Sequence, residues 1–452
     1  MTRSAAGGTP SPRAVAFADA FRFWLKLGFV SFGGPAGQIA IMHRELVETR
    51  RWISERRFLH ALNYCMVLPG PEAQQLATYI GWLLHGTWGG IVAGTLFVAP
   101  SLALLVGLSW VYLAFGATPL VSAILAGVKP AVVAIVVAAT VRIGTKALRG
   151  PFQVAIAIAA FVSLAVFSVP FPWVIAGAAL AGFLGRRFAP RGSHHAAKAS
   201  APHEPAAIDD DTPPPEHAKV SARHLATVVA VALVAWAIPF AILVAAFGAA
   251  GDFAAMARFF TQAALVTFGG AYAVLPYVVD AAVEQHGWAT MGQMIDGLAL
   301  GETTPGPLIM IVAFVGFVGA WTKALLGPEA LVAAGVLGAC VATWFTFLPS
   351  FAFILAGGPY VERSRDDMHL EAPLSAITAA VVGVIANLAV FFAWHVFWPG
   401  ASAATPFPAT FSVPSVAIAA IALWLLVRNR AGVIGVIAGA AAAGVALRAL
   451  GA

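Results

Sequence analysis

Residues 68–81 read LPGPEAQQLATYIG, and the same break recurs within residues 301–316, GETTPGPLIMIVAFVG. Pro69-Gly70-Pro71 and Pro305-Gly306-Pro307 interrupt strongly apolar sequence. Proline removes an N–H and clashes with the preceding turn, so one helix stops there and another starts. In a bilayer the backbone groups freed by such a break are tolerated only inside protein or beside a water-filled cavity. Both tripeptides are therefore candidate parts of a binding site.

The surrounding composition sets the solvent. Of 452 residues, 60% are hydrophobic and 10% charged, against about 25% charged in a typical soluble domain. Several apolar runs reach the roughly 20 residues that cross a bilayer as a helix. The chain reads as an all-α integral membrane protein. Arg22 and Lys26 lie in the first apolar stretch and no cleavage pattern follows it, so that helix is expected to persist in the mature protein. The net charge of +6 comes from Lys and Arg scattered among short loops. That distribution follows membrane topology, not nucleic-acid binding. Cys65 and Cys340 lie in apolar segments without His or acidic partners at metal-ligand spacing and read as packing residues, so no metal or cofactor is expected. A GxxxxGK(S/T) phosphate loop is missing from the sequence, which argues against an ATP-driven pump. The two isolated cysteines and the lack of a dinucleotide fingerprint argue against an enzyme such as a membrane reductase.

Four regions are expected: a membrane repeat over 1–188, a disordered cytoplasmic linker over 189–222, a connecting transmembrane helix over 223–250 and a second membrane repeat over 251–452. In the first, a helix over 14–32 breaks at Gly33-Gly34-Pro35 and a shorter piece reaches His43. A basic connection with Arg44, Arg50, Arg51, Arg56 and Arg57 follows. The segment over 58–85, broken at the PGP, has arms of about 20 Å and fits a re-entrant hairpin better than two spans of the roughly 30 Å core. Longer helices are expected over 88–114, 120–142, 152–168 and 172–188, and in the second half over 329–356, 373–397, 413–427 and 431–449. The linker, rich in Pro, His and acidic residues, lacks the apolar material to offset ordering entropy. Its histidines, including His194, His195, His203, His217 and His224, are irregularly spaced and read as solvated, with metal binding the alternative.

The two breaks keep one register, because the step from Gly33 to Gly269 equals the step from Pro69 to Pro305. At that same offset Arg22 matches Arg258, Ser31 matches Thr267 and Trp52 matches Trp288; Pro100-Ser101 also resembles Pro349-Ser350. The five arginines over 44–57 have no Lys or Arg counterpart over 280–293, whereas Arg363 and Arg365 stand where the first copy is uncharged over 114–120. Opposite sides are implied. The sequence thus predicts an inverted-topology repeat, the architecture of many secondary transporters. The N-terminus and the linker are placed in the cytoplasm; Lys323 and Arg448 then fall on the outer side.

A helix that begins at a break presents unpaired N–H groups and a partial positive charge, which makes an anion site without a charged side chain. Four such starts, after Gly34, Pro71, Gly270 and Pro307, are expected to converge, with hydroxyls at Ser31, Thr267, Thr303 and Thr304 and amides at Gln74 and Gln75. The alternative is that Gly and Pro merely permit close packing and kinks. Glu72 and Glu302, beside the two PGP breaks, are candidates to carry a proton or to cap exposed N–H groups. Asp296 is a further carboxylate, nearer the entrance of its arm. Arg22, Lys26, Lys129 and Arg258 are candidates to guide an anion, with snorkelling to the headgroups the alternative.

The stretches FWLKLGFVSFGGP, LPGPEAQQLATYIG, VTFGGAYAVLPY and GLALGETTPGPL resemble the chromate ion transporter family in its long, two-domain form. The family pattern falls on Gly33, Gly34, Pro35, Pro69, Gly70, Pro71, Gln75, Gly269, Gly270, Tyr272, Pro276, Glu302, Pro305, Gly306 and Pro307. The resemblance implies a multi-pass exporter in the cell (inner) membrane, acting on chromate, with sulfate a further candidate, and driven by the proton gradient. Protons and lipid are then the other partners, and a homodimer is an open assembly. Without the resemblance, composition and spacing reach only a secondary transporter of an anion. An anion channel and a carrier of another solute stay open.

Overall fold

The computed structural model describes residues 15–32, 34–185, 206–210, 212–213, 215–268, 270–363, 371–401, 405–408 and 410–450. Two residues of the expected break motifs, Gly33 and Gly269, lie outside them, as do His194, His195 and His203.

The described secondary structure is helical. In the first half α1 (Phe17–Val30), α2 (Gly34–His43) and α3 (Glu55–Val67) precede the long α4 (Glu72–Phe115), α5 (Pro119–Ala147), α6 (Pro151–Ala165) and α7 (Phe171–Leu184). A connecting α8 (Ala222–Phe247) leads to α9 (Asp252–Val266), α10 (Ala271–Asp280), α11 (Met291–Thr303), α12 (Ile311–Thr322), α13 (Leu331–Arg363), α14 (Glu371–Phe397), α15 (Val413–Val427) and α16 (Val433–Ala449). Two π-helical turns, Arg44–Thr49 and Ala281–Gln285, end α2 and α10 at matching places in the sequence.

The breaks fall where proline and glycine require them. α3 stops before Pro69, and α4 begins after Pro71. Within α4, His85 and Gly86 leave helical geometry and the chain doubles back, so Gly81 packs against Gly89 and Ala93. The two arms expected around the first break are the helices α3 and the first part of α4, and those around the second break are α11 and α12. Among the described residues, five helices are long and apolar enough to cross a membrane: α4, α5, α8, α13 and α14. α15 spans the expected 413–427, whereas α6, α7 and α16 are shorter than their sequence suggested; the four have 14–17 residues. That is about 21–26 Å of helix.

α8 is mostly exposed and lined by Val231, Leu233, Val234, Ile238 and Ile242, an apolar surface suited to lipid. α1 packs on α4 and α9 on α13. α6 and α7 pack on α14, while α15 and α16 pack on α5, so each half's last two helices bury themselves against the other half. α4 and α13 run antiparallel, with Gly90 meeting Leu355 and Gly94 meeting Phe351. Lys323 bonds Asp252 at 2.8 Å, which gives its charge a partner at the end of α12.

Within 189–222, expected as a disordered linker, the described residues 206–210, 212–213 and 215–222 make defined contacts. Ile208 forms a parallel bridge with Ile53, Ser54 donates to Asp210 at 2.5 Å, and Arg57 donates to the Thr212 carbonyl. His217 sits edge-on to Trp82, with ring centroids 5.3 Å apart, and His224 bonds the Leu355 carbonyl at 3.1 Å. Backbone pairing with 51–54 and aromatic packing supply the ordering that composition alone did not show.

Candidate functional site at the crossed helix breaks

The first-half tripeptide is bonded to the second half, and the second-half tripeptide to the first. Gly70 N–H donates to the Thr267 carbonyl at 2.7 Å, and Gly306 N–H to the Ser31 carbonyl at 2.8 Å. Gly70 and Gly306 are counterparts in the repeat, and so are Ser31 and Thr267, so the two bonds are one contact made twice. Side chains follow the same exchange: a Cβ on Gly70 would collide with Ser350, and one on Gly306 with Ser101. Both glycines have positive φ, 124° and 101°. No side chain fits either place, on conformational and on steric grounds.

Pro71, Pro305, Pro307 and Thr304 are buried around this crossing, whereas Pro69, Gly34 and Pro35 are half-buried. Gln38, fully buried on α2, donates to the Gly306 carbonyl at 2.5 Å and to the Ser31 carbonyl at 3.3 Å. Gln75 donates to the Pro69 carbonyl at 2.7 Å and to Ser350 at 3.4 Å, and Gln74 to Thr78 at 3.0 Å. The first backbone bond of α4 runs from Gln75 N–H to the Pro71 carbonyl. The amides of Glu72, Ala73 and Gln74 precede it and lie at the positive end of the helix. Ser101 Oγ and the Oε1 atoms of Gln38, Gln74 and Gln75 are buried without a protein partner, a state that costs about 1–3 kcal/mol each. The three amide oxygens only accept, so the guest that satisfies them is a hydrogen-bond donor such as water.

Each candidate hydroxyl donates to its own helix. Ser31 bonds the Leu27 carbonyl at 2.6 Å, Thr267 that of Ala263 at 2.5 Å, Thr303 that of Leu300 at 2.8 Å and Thr304 that of Gly301 at 3.0 Å. Their protons stabilise the helix ends in this conformation, and lone pairs are what they leave for other partners.

Of the candidate carboxylates, Glu302 is buried and accepts a hydrogen bond from Tyr272, within the electrostatic reach of Arg142. Glu72 is half-buried at the first position of α4. The candidate cations are not gathered here. Arg22 and Lys26 do share a face of α1, but it is the exposed one, opposite buried Phe23, Trp24 and Leu27. Arg258 is exposed, bonds the Ala249 carbonyl at 2.9 Å and lies over Phe240. The amphipathic pattern of α1 and α9 turns these charges outward, so none of the three lines the crossing. Lys129 differs: it pairs with buried Asp296 at 3.4 Å.

Sequence reasoning missed Gln38, Ser101 and Ser350 as contributors. The matched Pro-Ser pairs were a signal for the serines. Gln38 had none, because its counterpart is Val274.

The family model for chromate transporters matches residues 18–183 and 254–445. A chromate transport protein of Pseudomonas aeruginosa is 36% identical over 378 residues, covering 83% of this chain and 80% of that protein. A probable chromate transport protein of Synechococcus elongatus is 27% identical, covering 82% of each. A chromate transport protein of Cupriavidus metallidurans is 24% identical, covering 86% of each. No solved structure matches the chain.

Proposed function

This chain belongs to the chromate transporter family, and we propose that it is a secondary active transporter that exports chromate across the cell membrane under the proton gradient. What carries the mechanistic part of this reading is the crossed pair of hydrogen bonds between Gly70 and Thr267 and between Gly306 and Ser31. Two helix breaks that hold each other can form one site from both halves. The antiparallel packing of α4 on α13 and the exchange of α6–α7 with α15–α16 support an inverted repeat around that site.

In this reading the anion is held near the bilayer midplane by the leading N–H groups of α4, α10 and α12 and by the amides of Gln38, Gln74 and Gln75. For Gln38 and Gln75 this requires release of their present bonds to the Ser31, Gly306 and Pro69 carbonyls. Alternating access rocks one half against the other, which requires the two crossing bonds to break and re-form. Glu302, with Tyr272 and Arg142 near it, is the proton carrier in the first instance, and Glu72 the second. A tetrahedral dianion with four acceptor oxygens fits such donors whether it is chromate or sulfate, so sulfate is the natural competitor.

Transport of radiolabelled chromate in sealed vesicles, with and without an imposed proton gradient and with sulfate added, tests the reading. Gradient-dependent uphill chromate movement is expected. Flux that only follows the anion's own gradient would make the protein a channel. Glu302→Gln is expected to abolish the gradient dependence; unchanged dependence would remove Glu302 from the proton path.

A further inference from the structure

A cavity of about 630 Å³, lined by both polar and apolar side chains, lies away from the crossed breaks. It is bounded by the C-terminal end of α4, the first half of α5, the start of α11 and the end of α14. Its lining includes Lys129, Asp296, Tyr112, Gln293, Ser122 and His395. A water's share of liquid volume is about 30 Å³, so an oxyanion of five heavy atoms fits with water to spare.

Resting on the reading of an anion carrier, we propose that this cavity is a second subsite for the transported oxyanion, where the Asp296 carboxylate and the anion compete for the Lys129 ammonium. A proton taken up by Asp296 then hands Lys129 to the anion.

Three observations meet here. Asp296 is 3% exposed, and its Oδ1 is buried without a hydrogen-bond partner. Its Oδ2 accepts from Tyr112 at 3.0 Å and pairs with Lys129 at 3.4 Å. The Lys129 side chain is 34% exposed, in contact with the space where an anion would stand. An ammonium carries three donors, more than one carboxylate oxygen uses. Gln293 and Ser122 add neutral donors on the same walls.

The charge balance gives the coupling. With Asp296 ionised, the pair is neutral and a dianion meets no net attraction. One proton taken from solvent forms an O–H bond on Asp296 and leaves a net charge of +1, and the anion takes the carboxylate's place at Lys129. Loss of that proton restores the pair and expels the anion. The other ionisable groups that line or border the cavity are Tyr112 on α4, His395 on α14, whose Nδ1 is bonded with the Phe391 carbonyl at 2.9 Å, and Arg448 on α16, which borders an adjoining cavity shared with Ser122; Arg142 and Lys146 on α5 lie further along that helix, outside the lining. Glu302 lies further along α11, beyond the cavity. In the repeat, Asp296 matches His60, which bonds the Val361 carbonyl at 3.1 Å. The device therefore belongs to one end of the molecule.

The test is chromate binding to the purified full chain from pH 5.5 to 8.5, always as a ratio to wild type so that the anion's own protonation cancels. Asp296→Asn is expected to bind chromate about tenfold more tightly than wild type at high pH, with the two converging at low pH. Lys129→Met is expected to bind more weakly throughout, and adding Asp296→Asn to it is expected to bring no gain. Asp296→Glu, which keeps the carboxylate, reports on folding and is expected to keep the pH response. A wild-type pH profile in Asp296→Asn, or a gain that survives Lys129→Met, would overturn the competition. A wild-type protein that binds no chromate at any pH would instead overturn the proposed substrate.

Discussion

Arg57 and Gln293 stand at the same place in the two copies of the repeat, and so do His60 and Asp296. Their surroundings have diverged. At the first end Arg57, 6% exposed, lies 3.9 Å from Glu362, which accepts from Tyr79 at 2.6 Å, and the segment around Thr212 covers it. At the second end Gln293 and Asp296 face an open cavity. The ends are far apart. Along α4, Gly90 beside Leu355 and Tyr112 beside Asp296 are separated by roughly 33 Å of helix. The backbone scaffold tolerates either a sealed or an open end, and the side chains at two matched positions accompany the difference.

The largest break in this comparison comes from splitting the sealed pair. Glu362→Ala removes one carboxylate partner of the buried Arg57 guanidinium and the acceptor of the Tyr79 hydroxyl, and breaking a buried pair of this kind costs about 3 kcal/mol. Thermal unfolding in detergent is expected to show that loss, and Arg57→Met with Glu362→Leu to recover most of it. At the open end Asp296→Asn is expected to cost only about 1 kcal/mol, since Lys129 reaches solvent and the amide oxygen still accepts from Tyr112. Equal losses at both ends would mean that the cavity is as dry as the sealed corner.

Between these in size lies the crossing. Gly70→Ala and Gly306→Ala each force a side chain into positive φ, worth about 1–3 kcal/mol, and push against a serine of the other half. Chromate flux in vesicles is expected to fall about tenfold or more for both. If only one does so, the two breaks are not equivalent partners in the site.

The breaks themselves were legible because proline and glycine are local punctuation and because the constant offset between the two copies exposes their pairing. Which partners they take was not. Helical spacing puts Arg22 and Lys26 on one face of α1 but does not say that the face points outward. Ser31 and Thr267 were visible as hydroxyls at the breaks, yet the crossing uses their carbonyls, a backbone property that no side-chain pattern encodes. Asp296 read as a weak candidate because its partners, Lys129 on α5 and Tyr112 on α4, are distant in sequence. The docked segment was hidden for a similar reason: composition measures how much apolar surface 206–218 could bury on its own, whereas Ile208 and Ala218 are buried against other parts of the chain.

That segment gives the smallest effect and a pH test of the sealed end. His217 packs against Trp82 with its Nε2 buried, and burial holds its imidazole below the ordinary value, with the nearby His224 acting in the same direction and a backbone bond to Trp82 against it. A base depressed in the docked state favours docking while it is neutral. The contribution is fully present above the unperturbed value of about 6.5 and is lost as pH falls from there toward the lowered one. The protection factor at 206–218, which corrects for the roughly tenfold fall of intrinsic amide exchange per pH unit, is therefore expected to drop between pH 7.5 and 5.5 in the wild type, while that of α4 and α13 holds. His217→Phe keeps the edge contact with Trp82 and removes the titration, so its protection factor in this segment is expected to be the same at both pH values. A drop that persists in His217→Phe would remove His217 as the origin of the pH sensitivity.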